Sequence, residues 1–276
     1  MASNCQLILP PGSLSSCIAG CIVRDTRNVQ LSDADRVNYF PASPLYSVSM
    51  FFEGQLHLAE GILPLEQLKQ QPLAPRTLFL PPQSKPQMSW SAGPVLAATV
   101  TFFPDAWQQL GGTLDAVPST RIKHALSPLA VPPLEAAWPK FWQEMAHSWV
   151  DTKGNGEPFD RTAPDMLKDW MYHLMIQLAQ TGAGRSLRSM QRRLQRRTGL
   201  SKQTLDFFAK LEDVHRLISQ DPQSTPAEVA ADAGFADQSH MGRALKRATG
   251  FSPVTLNQKI ASEEPFWCYR LLGERF

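Results

Sequence analysis

TPAEVAADAGFADQSHMGRALKRATGFSP, residues Thr225 to Pro253, decides the C-terminal part of this chain. Thr225 can cap a helix, and Pro226 suits the first helical position, where an amide hydrogen has no partner anyway. Glu228, three residues after Thr225, completes a capping box. Val229, Ala230 and Ala233 then fall on one face. Gly234 supplies a turn with left-handed backbone. Asp237 caps a second helix, in which Met241 and Leu245 sit one turn apart and pack inward. Ser239, Arg243 and Lys246 share an outward face, with Gln238 at the helix start. A short basic helix set against a helix of smaller residues is the layout of a DNA-reading helix-turn-helix.

The pattern is duplicated. Shifted by 51 residues, Leu178 and Ala179 fall on Val229 and Ala230. Met190, Arg192, Leu194 and Arg196 fall on Met241, Arg243, Leu245 and Arg247, and Thr198, Gly199 and Ser201 on Thr249, Gly250 and Ser252. Buried and exposed positions recur together, which marks a true internal repeat. Two units, about 172–199 and 225–253, can enter successive major grooves roughly 34 Å apart on one face of the duplex.

Charge follows the repeat. Residues 161–276 carry 17 Lys and Arg against 12 Asp and Glu, while the rest carries 10 against 13, so the small net charge of +2 hides a basic C-terminal part. Between Arg185 and Leu205 there are seven cations and no acid. In the first unit Ser186 is the expected cap. Met190 and Leu194 face in, and Arg188, Gln191, Arg192 and Gln195 face out. Arginine can pair two donors with guanine, and glutamine can pair in the same bidentate way with adenine. Arg193, Arg196, Arg197 and Lys202 suit phosphates, which give affinity without sequence. Ser201 to Gln220 reads as a connecting helix with an apolar stripe of Leu205, Phe208, Leu211, Val214 and Ile218, stopped at Asp221-Pro222.

The runs RSLRSMQRRLQRRTGLS and AGFADQSHMGRALKRATGFSP resemble the DNA-binding domain of AraC/XylS-type transcriptional regulators, over about the last hundred residues. The resemblance implies base-edge contacts at Arg188, Gln191 and Arg192. It implies groove-facing positions at Gln238, Ser239, Gly242 and Arg243. Arg247 repeats the position of Arg196, and His240 can reach a phosphate. The first unit departs from the pattern: it lacks the Thr-Pro-x-Glu start, its turn glycine, Gly184, comes one residue late against the repeat, and its supporting helix continues from the Trp170 helix. It therefore reads bases or only the backbone. After Pro253 the aromatic–Arg pair usual in the family is missing, so Leu256 and Ile260 must close the bundle. The aromatic tail from Pro265 to Phe276 packs back onto the protein or forms a partner surface.

The N-terminal part is β-rich. Tyr46–Phe52, Arg76–Leu80 and Val95–Phe103 read as strands, punctuated by Pro and Gly, and favour a sandwich or barrel. The resemblance places a cupin-like, ligand-sensing domain here, and the run from Val100 to Gly112 is similar to a segment near the end of such domains. Phe51, Phe79, Trp90 and Phe102 are candidates to line a ligand cavity, or else are plain core. Leu134–Val150 reads as an amphipathic helix with Trp138, Phe141, Trp142 and Met145 in its stripe; its role is core packing or, as in the resembled family, dimerisation. Asp151–Pro158 is turn-rich, and a long helix starts at Thr162 or Ala163 and ends at Thr181–Gly184.

The expected organisation is α+β in two domains. Residues 1–120 form a β-rich (cupin-like barrel or sandwich) sensor, 121–160 a helical connection and linker, and 161–276 an all-α domain of two helix-turn-helix units joined by a helix. The expected function is a sequence-specific, cytoplasmic DNA-binding regulator. Its partners are double-stranded DNA, RNA polymerase, a small-molecule effector and a second copy of the chain. A cupin-like enzyme and a weakly specific architectural DNA-binding protein are the alternatives. The enzyme reading is weakened by the scarcity of ligands: His57 and His124 have no histidine at ligand spacing, so no metal or cofactor is expected. Four cysteines without paired spacing read as free thiols. No run of about twenty apolar residues appears, so no membrane span is expected.

Overall fold

The structure is a computed structural model and describes residues 4–150, 166–180, 186–221 and 223–273. Eight strands precede the main helices: β1 Asn4–Ile8, β2 Ile18–Asp25, β3 Val37–Phe40, β4 Tyr46–Glu53, β5 Leu56–Glu60, β6 Thr77–Leu80, β7 Gln87–Ser91 and β8 Leu96–Phe102. A short helix, α1 (Leu65–Leu68), sits between β5 and β6. The strands form a five-stranded sheet, ordered β1-β2-β8-β4-β6, and a three-stranded sheet, β3-β7-β5, antiparallel throughout. The β-rich expectation is met by two sheets rather than by a closed barrel.

Strand alternation divides the residues of the large sheet between two environments. Tyr46, Val48 and Met50 of β4, with Val100 and Phe102 of β8, face the main apolar core. Ser47, Ser49 and Phe51, with Ala97, Thr99 and Thr101, face a cavity of about 570 Å³ between the two sheets. The opposite wall is Asn38, Phe40, Gln87, Ser89 and Ser91, closed at its edge by Leu56 and Leu58. Most of the β4, β7 and β8 positions facing the cavity are Ser, Thr or Ala, which leave room between the sheets. Several of their hydroxyls pair within the wall: Ser49 and Thr99 share a bond of 2.9 Å, Thr101 donates to the Gly20 carbonyl, and Asn38 donates to Ser89.

Aromatic content is a poor guide to that wall. Of the four candidate lining residues only Phe51 touches the cavity. Phe79 and Phe102 lie on the other face of the sheet against Trp107, and Trp90 belongs to the small core under α1. Each is one residue out of register with the wall, and a one-residue shift along a strand reverses the face.

Helices α2 (Pro104–Gln109), α3 (Thr120–Leu126) and α4 (Leu134–Val150) cover the outer face of the large sheet. Trp138, Phe141 and Met145 of α4 are buried in the main core, and Trp142 is half-buried against it. Then follow α5 (Met166–Gln180), α6 (Leu187–Thr198), α7 (Lys202–Gln220), α8 (Pro226–Asp232), α9 (Gln238–Thr249), α10 (Pro253–Ser262) and α11 (Trp267–Leu271). The linker 151–158, the helix start expected at Thr162 or Ala163 and the Gly184 turn lie outside the described residues. Among the described residues no helix is long and apolar enough to cross a membrane.

Two cores organise the molecule, and each draws on both ends of the chain. The larger runs from β2, β4 and β8 through α2–α4 to Trp170, Leu174 and Leu178 of α5, Leu194 of α6 and Leu205 of α7. The second gathers α7, α8, α9, α10 and the tail, together with Tyr39 and Ala42 from the strand region.

Candidate nucleic-acid interface

The two units are built from the same parts. Ser186 accepts the Ser189 amide to cap α6, and Asp237 accepts the His240 amide to cap α9. Twelve residues later, Thr198 and Thr249 return their hydroxyls to the Leu194 and Leu245 carbonyls, each at 2.8 Å. Gly199 and Gly250 then end the helices at φ 76° and 86°, in the left-handed region that favours glycine. Ser201 and Ser252 cap the next helices in the same way. Every one of these pairs is 51 residues apart, so the repeat in the sequence is a repeat of caps as well as of surface.

The supporting helices differ. In the second unit the capping box of Thr225 and Glu228 is formed, Gly234 turns at φ 73°, and Val229 and Ala230 are buried under α9. Glu228 is held below the usual carboxylate range by the amide and hydroxyl of Thr225. In the first unit α5 is a long helix: Leu178 is buried as its counterpart Val229 is, but Ala179 is exposed where Ala230 is buried. Leu256 and Ile260 are buried and close the second bundle, as the missing aromatic–Arg pair requires.

On α6, Arg188, Gln191, Arg192, Gln195 and Arg196 are all exposed, while Leu194 is buried and Met190 half-buried. On α9, Gln238, Ser239, His240, Arg243, Lys246 and Arg247 are exposed, and Gly242 is half-buried with open space where a side chain would stand. Met241 and Leu245 are buried beneath them. The candidate contacts therefore gather on one solvent-facing strip of each recognition helix, opposite its buried positions.

The structure adds distinctions among the cations that spacing does not give. Arg193 is half-buried and donates to the Leu178 carbonyl at 2.8 Å, tying α6 to α5. Arg197 donates to Gln177 at 3.0 Å across the same pair of helices. Lys202 pairs with Asp206. Of the four cations expected at phosphates, Arg196 is thus the one presented from the exposed strip, and Arg193 is a structural residue. Arg247 is exposed and lies 3.9 Å over the Phe207 ring of α7, a cation–π contact.

A family model described as a helix-turn-helix domain matches residues 181–259. No curated protein is significantly similar in sequence. Among solved structures the chain is similar to ToxT from Vibrio cholerae, with 12% identity over 85% of this chain and 96% of that one and a TM-score of 0.36. Against ToxT of strain SCE256 bound to an unsaturated fatty acid the identity is 11%, the coverage 79% and 92%, and the TM-score 0.32. Against ToxT of strain O395 the figures are 13%, 79% and 91%, and 0.35. The match over 181–259 coincides with the doubled caps and basic strips of α6 and α9, and it identifies the C-terminal region as a helix-turn-helix domain of the AraC type.

Proposed function

We propose that this protein is a sequence-specific transcriptional regulator whose two helix-turn-helix units dock in successive major grooves of double-stranded DNA. The observation that carries the reading is the repeated recognition helix with Arg and Gln on its exposed strip and buried residues behind it. Gln238 and Arg243 read base edges in the second unit, and Arg188, Gln191 and Arg192 take the same roles in the first. Arg196, Lys246, Arg247 and His240 hold phosphates. Ser239 and Gly242 allow α9 to approach closely, and Gln195 extends the strip of α6.

The cavity between the sheets is the proposed effector site. Its wall is largely apolar, with Arg24, Arg36, Glu212 and His215 among its polar members, so a small molecule with a largely apolar body and a polar group fits it. RNA polymerase is the partner proposed for the output.

Selection of duplexes from a random pool by the full chain tests the function. The expected result is enrichment of one motif with two elements spaced by about one helical turn. Arg243→Ala should then weaken binding to that motif by about 1–3 kcal/mol and relax selectivity at one base pair. Equal retention of all sequences would instead mark an architectural DNA-binding protein.

A further inference from the structure

After α4, and among the described residues, Gly199, Gly234, Gly250 and Gly273 turn the chain at φ of 70–86°, where the backbone alone favours glycine. Gly242 is of another kind. It stands inside α9 with helical backbone, and a Cβ added to it would meet nothing within 4 Å. The inward positions around it, Met241, Ala244 and Leu245, are buried, so the core behind α9 is closed without it. Glycine loses more backbone freedom on folding than any other residue and weakens the middle of a helix relative to alanine. Neither turn geometry nor packing within the chain accounts for Gly242. Close approach of the backbone to something outside the chain does.

The 51-residue offset sets Gly242 against Gln191, Ser239 against Arg188, and Arg243 against Arg192. One arginine is kept, while two long side chains give way to a hydroxymethyl group and a hydrogen. Ser239 and Arg243 are exposed, as are Arg188, Gln191 and Arg192. We propose that Gly242 determines the specificity of the second unit by letting α9 lie closer to the base edges than α6 does, with the Gly242 backbone against one base pair. This rests on the regulator reading above. A serine hydroxyl ends several ångströms nearer its backbone than a guanidinium does, so Ser239 reaches a base edge only from a deeply seated helix. Deep seating and a side chain at position 242 exclude each other. The two elements of the duplex motif are then read by unlike means. The first is read through the long side chains of Arg188, Gln191 and Arg192, and the second through close fit, with Gln238 and Arg243 as its long readers.

Gly242→Ala and Gly242→Gln in the full chain test this on the duplex motif selected above. Both side chains have room in the free protein and suit a helix better, so urea midpoints should rise. Binding should fall all the same, roughly 5-fold for alanine and roughly 50-fold for glutamine, the range of one base contact. On a duplex whose second element is scrambled, wild type and both variants should bind alike. Variants that are stabilised and bind the intact motif as tightly as wild type overturn the close approach, while the regulator reading stands. So does an adenine preference gained by Gly242→Gln at undiminished affinity, which would make position 242 a vacancy rather than a contact. An equal loss on intact and scrambled duplexes, or a lowered urea midpoint, also overturns it, because the glycine then serves something other than the second element. A wild-type chain that selects no motif overturns the regulator reading, and this proposal with it.

Discussion

Asp105 shows how one side chain can tie together elements that are far apart in sequence. It lies at the start of α2, buried, and accepts the Trp170 indole of α5 at 2.7 Å and the Gln109 amide at 3.2 Å. Burial pushes its carboxyl above the usual value of 3.8, while the Trp170 bond and the nearby Arg197 guanidinium pull against that shift. The folded chain then keeps the Asp105 proton to higher pH than the unfolded chain does. Between the two values the folded state binds more protons, so stability is greatest below the ordinary aspartate range and falls as pH rises through the raised one. Asp105→Asn keeps the shape and stays neutral. It should flatten that fall in urea midpoints measured across the interval. Parallel pH curves for variant and wild type would mean that Asp105 ionises in the fold as it does in the open chain.

Among the elements, α8 is the shortest of the supports for DNA reading and depends most on its cap. Seven residues are marginal as an isolated helix, so its stability comes from the cap and from packing under α9. Thr225→Ala removes the hydroxyl that accepts the Glu228 amide and should cost about 1 kcal/mol of unfolding free energy. Urea unfolding of the full chain measures this, and an unchanged midpoint would show that packing alone holds α8. The element level is also where the sequence reads unevenly. Leu134–Val150, the α7 helix and the caps of both units lie where spacing and capping residues put them. Three of the eight strands among the described residues are legible. β2 is buried along nearly all of its length and so shows no alternation, while β3 has four residues and β7, QMSWS, reads as polar because its serines face a cavity.

For the whole molecule, the main core is the deciding feature. It passes without a break from the large sheet to α5, α6 and α7, and Phe103 stacks on Trp170 at 5.2 Å across it. Strands and first reading unit should therefore unfold together. Urea transitions followed by near-ultraviolet dichroism, which reports the aromatic core, and by far-ultraviolet dichroism, which is dominated by helix, are expected to coincide. A helical transition well before the aromatic one would contradict the shared core. The end of α9 and the tail also form part of the cavity wall, through Ala248, Thr249 and Trp267.

By itself the sequence determined the two helix-turn-helix units and the exposed strips of their second helices. Its signals are local: a cap, a turn glycine and a buried–exposed period, all repeated at a fixed offset and all written within a few residues of one another. The cavity, the two shared cores and the buried Asp105 were decided only by the tertiary structure. Each depends on which face of a strand meets which distant helix, and that parity is fixed by pairing between segments that no short window contains.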